Sequence, residues 1–119
     1  GDKQWTQQLG TSSNDGAEAV TVDSSDNIYI AGYTAGTGLD GNTSFGEVDI
    51  ILLKYNSSGT KQWAKQFGSG AADYMMDMEV DSSNNFYATG YTTGGLDGNT
   101  NSGANDIFLI KFNSSVVLQ

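Results

Sequence analysis

The sequence predicts an all-β protein made of two similar four-stranded antiparallel units, and three observations carry this prediction. A pattern of residues recurs along the 119-residue chain, beginning with Trp5, which returns as Trp63. Short stretches of alternating, β-branched or aromatic side chains are separated by polar turns, as in antiparallel sheets. No stretch shows the capped 3.6-residue periodicity of an α-helix, so we predict none.

The internal repeat extends through nearly the whole chain. Repeat 1 covers about residues 1–58 and repeat 2 about residues 59–119, with one residue missing from the long loop of repeat 2. Nothing in the composition marks a boundary between them, so we expect residues 1–119 to form one continuous unit. Equivalent residues, repeat 1 first, include Gly10 and Gly68, Asp15 and Asp73, Tyr29 and Tyr87, Gly32 and Gly90, Asp49 and Asp106, and Lys54 and Lys111.

Each repeat is predicted to contain four strands. The first type carries a tryptophan and alternates in polarity, the second alternates with period two, and the third is β-branched and aromatic. The fourth type is apolar on both faces, so both faces need a cover. In order, the predicted strands are 3–9, 17–22, 28–33 and 50–55 in repeat 1, and 61–67, 76–80, 86–91 and 107–112 in repeat 2.

Polar turns connect these strands. Asp, Asn and Ser dominate residues 23–27 and 81–85, and such side chains bond their own backbone and tolerate left-handed conformations. The longest links, at about 34–48 and 92–105, are rich in glycine.

Three stretches carry a resemblance to a known family: VDSSDNIYIAGYT at 22–34, LDGNT at 39–43 and YNSSGTKQW at 55–63. They resemble the SBBP-type bacterial β-propeller repeat. The family usually has Gly before the Asn of its tight turn, where Asp26 and Asn84 stand here, and both residue types tolerate that backbone. The resemblance implies two β-propeller blades and an exported, surface-associated protein. It implies no catalytic activity.

Two blades do not close a propeller, because natural rings use roughly 4–8. We therefore expect a ring or fibre completed by other copies or by a longer chain. In related propellers the tryptophan strand is outermost and follows the apolar strand, so 107–112 lacks its outer neighbour and 3–9 is a strand of the missing type. Pairing them between chains would remove an exposed edge. The predicted self-assembly interface is Trp5, Gln7, Leu9, Ile107, Phe108, Leu109, Ile110 and Phe112.

Composition excludes several classes of function. There are 14 acidic and 5 basic residues, a net charge of −9, and no His, Cys or Pro. All five basic residues are lysines. This charge repels nucleic acid and anionic membranes, and the missing His and Cys remove the commonest general base and thiol chemistry. The chain begins without Met and has no long apolar run, so we expect a mature product, an excerpt or the ordered part of a longer chain, with no membrane insertion.

The Asp-Gly-Asn-Thr loops offer oxygen ligands of the kind that calcium binds. The candidate calcium ligands are Asp40, Asn42, Asp49, Asp97, Asn99 and Asp106. The alternative is that these residues form turns.

The primary prediction is a non-enzymatic extracellular or cell-surface protein that self-assembles into a homo-oligomer or polymer, without a cofactor unless calcium binds. The alternative is a calcium- or glycan-binding, lectin-like module in which aromatic residues such as Trp5 and Tyr33 stack on surface glycans. A hydrolase that uses Asp77 and Glu79 is the remote alternative. Asn42, Asn56 and Asn113 stand in glycosylation sequons, with plain polar turns as the alternative.

Overall fold

The computed structural model describes residues 1–113 and Ser115, and these residues form two antiparallel sheets. In sheet 1, consecutive strands pair in the order β1 Asp15–Val22, β2 Ile28–Thr34, β3 Asp49–Tyr55 and β4 Lys61–Phe67. In sheet 2, they pair in the order β5 Asp73–Val80, β6 Phe86–Thr92 and β7 Asp106–Phe112. The all-β prediction is confirmed.

Tight turns join the first two strands of each sheet. In sheet 1, Asp23 Oδ1 accepts hydrogen bonds from the backbone N–H groups of Ser25 and Asn27, at 2.9 and 3.0 Å. Asp26 adopts a left-handed conformation with φ 64°. Asn84, its counterpart in sheet 2, has φ 61°. Asp26 and Asn84 therefore adopt the left-handed backbone at the position where the family usually has glycine, as the sequence predicted.

Each long loop contains one short 3-10 turn, at Leu39–Gly41 and Leu96–Gly98. The leucine of each turn is buried, and the aspartate that follows it is left-handed, with φ 53° at Asp40 and 51° at Asp97. The two turns therefore have the same shape in both repeats.

The main core lies between the two sheets. Alternate residues of β2 and β3 face sheet 2, while the alternate set of β6 and β7 faces sheet 1. Tyr29 and Phe86 bring their ring centroids to 4.1 Å, and Phe67 and Phe112 to 5.2 Å. Aromatic contacts of this kind add to the apolar burial that holds the sheets together.

A second cluster covers the other face of sheet 1. Leu39, Ile51, Leu53 and Tyr55 are buried there, and Leu9 from the chain before β1 packs against them. The apolar character of β3 on both faces is thus matched by cover on both faces, as predicted.

The predicted strand at 3–9 is wrong, because no strand forms before β1 in the structure. A strand needs a hydrogen-bonding neighbour. The strand of this type that follows the apolar strand in sheet 1 is β4, which pairs with β3. Residues 3–9 pair with neither of the two described sheets, and Leu9 packs on the face of sheet 1 instead.

The prediction of two four-stranded units is correct for sheet 1, whereas sheet 2 has three strands among the described residues. The strand lacking from sheet 2 is the outer one, as the phase of the repeat indicated. The requirement that β7 be covered on both faces is not met: Ile107 is 88% exposed and Leu109 is 73% exposed.

The sequence repeats and the sheets are out of phase. β4 belongs to repeat 2 by sequence, yet it pairs with β3 of repeat 1. Repeat 2 therefore contributes its first segment to the sheet built by repeat 1. Residues 1–9, the first segment of repeat 1, join neither of the two described sheets.

Candidate functional site

The outer strand of sheet 1 is held by a buried glutamine. Gln66 in β4 accepts a hydrogen bond from the backbone N–H of Leu39 at 2.9 Å and donates one to Asp49 Oδ2 at 2.7 Å. Asp49 is only 1% exposed. Because buried polar groups must be paired, this glutamine is fixed in place by both partners.

Two further residues of the same loop bind β4. Asn42 donates from Nδ2 to the carbonyl oxygens of Leu39 and Ala64, at 2.7 and 3.1 Å. Asp40 forms an ion pair with Lys61, with 2.6 Å between the carboxylate and the ammonium nitrogen. The loop before β3 is therefore a receptor for the outer strand, contacting it at Lys61, Ala64 and Gln66.

Sheet 2 repeats this receptor beside an open groove. The groove has a volume of about 320 Å³ and is lined by the loop before β7 and by β7 itself, including Leu96, Asp97, Asn99 and Asp106. The loop has the same internal contacts as its counterpart: Asn99 Nδ2 donates to Leu96 O at 2.9 Å, as Asn42 does to Leu39. Within the described residues, β7 pairs with β6 alone. We call this space the strand groove.

The N-terminal segment carries the residues that the strand groove would accept. Lys3, Thr6 and Gln8 are the sequence equivalents of Lys61, Ala64 and Gln66. The pattern Lys-Gln-Trp-x-x-Gln is identical at residues 3–8 and 61–66.

The six predicted calcium ligands fall into these two receptors. In sheet 1, Asp40, Asn42 and Asp49 are engaged with β4, and in sheet 2, Asp97, Asn99 and Asp106 line the strand groove. Across residues 1–113 and Ser115, the structure gathers no group of three acidic side chains fit to hold a metal ion. Asp49 Oδ1 is a buried oxygen without a hydrogen-bond partner. Calcium binding stays a prediction, and titration calorimetry tests it.

The three sequon asparagines occupy turns. Asn42 uses its amide nitrogen for the two bonds described above, so a glycan there would break both. Asn56 accepts hydrogen bonds from Ser58 and Thr60. Asn113 accepts one from Ser115, while Ser114 lies outside the described residues. Glycosylation stays untested at each site.

Some of the aromatic residues proposed for glycan stacking pack between the sheets, while Trp5 and Tyr87 are exposed. Tyr29 and Trp63 have ring centroids 6.0 Å apart, and Tyr33 and Tyr74 lie 5.4 Å apart between the sheets. Trp5 is 41% exposed and its ring lies against Gly59. The hydrolase candidates Asp77 and Glu79 are exposed at alternate positions of β5, on the face of sheet 2 that points away from sheet 1.

The turn aspartate Asp23 has an altered acidity. Burial raises the pKa of Asp23. Hydrogen bonds from Asn27, Ser25 and the Tyr29 hydroxyl lower it by more than burial raises it, so the net pKa lies below the ordinary value. Burial and the neighbouring Asp23 raise the pKa of Tyr29. The hydroxyl therefore donates to the carboxylate at 3.0 Å. This pair stabilises the turn between β1 and β2.

The residue that sequence reasoning missed is Gln66, with its equivalent Gln8. The signal was available, because this glutamine recurs at the same distance from tryptophan in both repeats. The sequence could not show that its partner was the backbone of a loop far away in the chain.

No helix in the described part of the chain is long and apolar enough to cross a membrane.

Comparison with known proteins supports the repeat assignment. Residues 4–40 match the family model of SBBP, described as a β-propeller repeat, which confirms the resemblance seen in the sequence. The chain is also similar to an uncharacterized WD repeat-containing protein of Acanthamoeba polyphaga mimivirus, with 24% identity over 110 residues and 75% of this chain covered. This chain spans 8% of the length of that relative.

Proposed function

We propose that this chain is a non-enzymatic interaction protein whose two sheets are β-propeller blades that assemble by donating the N-terminal segment to the strand groove of another copy. The observation that carries the proposal is the pair of equivalent receptors. One is filled by β4, and the other borders an open groove whose matching strand type stands at residues 3–9 of the sequence.

The expected contacts follow from sheet 1. Gln8 of the donor copy would accept from the backbone N–H of Leu96 and donate to Asp106, as Gln66 does with Leu39 and Asp49. Lys3 would pair with Asp97, as Lys61 pairs with Asp40. The ion pair is exposed and adds little, whereas the buried glutamine provides most of the specificity.

Strand addition is also favoured by the physics of sheet edges. The unpaired N–H and C=O groups of an edge strand pair readily with an extended segment of another chain. Because donor and acceptor are different parts of the same chain, the contact is head-to-tail. Such contacts give a ring if the rotation closes and a filament if it does not.

We further propose that this assembly acts outside the cell or at its surface. Two observations support this proposal. The composition is rich in Gly, Ser, Thr and Asn and has no cysteine. The chain also resembles SBBP repeats, and this resemblance implies an exported protein. Antibody labelling of intact, unpermeabilised source cells tests the location, and labelling only after permeabilisation would contradict it.

The assembly proposal is tested by light scattering on the intact chain and on a chain lacking residues 1–9. The intact chain should exceed the 12.6 kDa monomer mass as concentration rises, and the truncated chain should not. Strand donation is wrong if the truncated chain forms the same rings or fibres.

Since truncation also removes Leu9 from its contact with sheet 1, a second measurement keeps the test independent of folding. A fluorescent peptide of residues 1–9 should bind the truncated chain, or the intact chain in competition with its own segments. A Gln8→Ala peptide should bind at least about tenfold more weakly, because it leaves buried polar groups unpaired. A Gln4→Ala peptide is the control, since Gln62, the equivalent of Gln4, is exposed in β4. Equal binding of all three peptides would contradict the proposal.

A further inference from the structure

The outer face of sheet 2 carries an exposed apolar patch. Ile107 and Leu109 are 88% and 73% exposed, and Tyr87 lies beside them at 36%. Their equivalents in sheet 1, Ile50, Leu52 and Tyr29, are buried against sheet 2. The patch therefore has the side chains of a packed interface but nothing from the described residues packed on it.

The opposite end of the molecule carries the complementary surface. Val20 is 67% exposed on the face of sheet 1 that points away from sheet 2, whereas its equivalent Met78 is 3% exposed in the core between the sheets. Ala17 is likewise exposed, while its equivalent Met75 is buried. The two uncovered faces are thus repeat equivalents of the two faces that already pack together within the chain.

The link between the N-terminal segment and β1 has the same hydrogen bond as the link between β4 and β5. The backbone N–H of Thr11 donates to Asp15 Oδ2 at 2.6 Å, and that of Ser69 donates to Asp73 Oδ2 at the same distance. Each bond joins residues four apart, so the links that enter β1 and β5 have the same local structure.

Leu9, the apolar residue at the end of the N-terminal segment, has contacts equivalent to those of Phe67. Leu9 packs on the cluster that contains Tyr55, and its equivalent Phe67 contacts Phe112, the equivalent of Tyr55. A cavity of about 240 Å³ remains between Leu9 and sheet 1, with Ile30 in its wall. Residues 1–9 therefore need not leave sheet 1 in order to meet the edge of an incoming β7.

We infer that sheet 2 of one copy of this chain docks face to face on sheet 1 of a second copy, reproducing between chains the packing of the two sheets within one chain. Tyr87, Ile107 and Leu109 of the first copy cover Val20 and Ile30 of the second. This inference deepens the proposed self-assembly, because the same approach brings β7 of the first copy beside the N-terminal segment of the second. Face docking and strand donation then occur together.

The docking patch needs little rearrangement. The Lys111 ammonium lies 5.5 Å from the centroid of the Tyr87 ring, and the Lys54 ammonium lies 5.5 Å from that of Tyr29 in the buried interface. The exposed patch therefore already has the side-chain arrangement of its packed equivalent, which lowers the entropic cost of association.

Two lysine substitutions test the inference, one on each face. Val20→Lys and Leu109→Lys both place a charge at an exposed position, so each chain should fold, as circular dichroism would verify. Each alone should raise the concentration needed for assembly by at least about tenfold, because a charged side chain replaces an apolar one that the interface buries. Ser82→Lys, in the exposed turn between β5 and β6, adds the same charge and should assemble like the parent chain.

Mixing the two variants gives the decisive result. The Leu109→Lys chain retains its sheet 1 face, and the Val20→Lys chain retains its sheet 2 face. An equimolar mixture should form heterodimers that grow no further, as measured by light scattering. Parent-like assembly of both variants alone, or no heterodimer in the mixture, would overturn face docking.

The face-docking inference and the proposed strand donation can be tested separately. Val20 lies outside the strand groove, so Val20→Lys leaves that groove intact. If the chain without residues 1–9 still assembles and Val20→Lys does not, face docking stands and strand donation falls. If Val20→Lys assembles and the truncated chain does not, face docking falls and strand donation stands. A monomeric parent chain at every concentration overturns both.

Discussion

Ile107 in β7 occupies the position that Ile50 occupies in β3, yet Ile107 is 88% exposed and Ile50 is fully buried. The two residues have the same side chain and the same register with their neighbouring strands. They differ because β3 has sheet 2 on this face, while nothing in the described chain covers β7. The exposure of Ile107 is thus a property of position in the repeat array.

The glutamine clamp should contribute strongly to the stability of sheet 1. Gln66→Ala leaves the Leu39 N–H and Asp49 without this partner in a buried site, so we expect a loss of about 1–3 kcal/mol in the free energy of unfolding. Urea denaturation measures it. Gln62→Ala, at an exposed position of the same strand, is the control and should change little. An equal effect of both substitutions would contradict the clamp.

Acid should destabilise the chain through its turn aspartates. The pKa of Asp23 is lower in the folded state than its unfolded value of about 3.9, so its stabilising contribution is present above that pH and is lost as pH falls through the folded pKa. Asp81, its equivalent in repeat 2, has a pKa lowered first by the backbone N–H of Asn85. Urea midpoints between about pH 5 and pH 2 measure the effect. Asp23→Asn should show a shallower fall with acidification, and an unchanged slope would contradict this assignment.

A glycine at the bulge of each sheet should not tolerate a side chain. A Cβ on Gly90 would lie 1.9 Å from the carbonyl oxygen of Tyr74, which is fixed backbone. Gly90→Ala should therefore lower the free energy of unfolding by about 1–3 kcal/mol or more. Gly103→Ala is the matched control, because a Cβ there meets nothing within 4 Å. Thermal unfolding compares the two variants, and equal midpoints would argue against the close approach.

Tryptophan fluorescence should report assembly. Trp5 is 41% exposed in the single chain, and the proposed strand donation places it against another copy. In a Trp63→Phe chain, emission from Trp5 should shift to shorter wavelength as concentration rises. In a Trp5→Phe chain, emission from Trp63 should stay constant, because Trp63 is already packed against the core between the sheets. A Trp5 signal that does not change when the mass increases would exclude this segment from the interface.

The sequence by itself determined the β class, the repeat, the tight turns and the bounds of the seven observed strands, the largest difference being at β5, which begins at Asp73 where residue 76 was predicted. These features depend on local periodicity and turn chemistry, and both are present in Val22 to Thr34 and in the equivalent stretch of repeat 2. The tertiary structure alone decided that residues 3–9 form no strand, that Gln66 binds a distant loop, and that three of the predicted calcium ligands, Asp40, Asn42 and Asp49, contact β4. A strand forms only beside a neighbour and a buried polar group chooses its partner across the fold, so both outcomes depend on residues far apart in the chain.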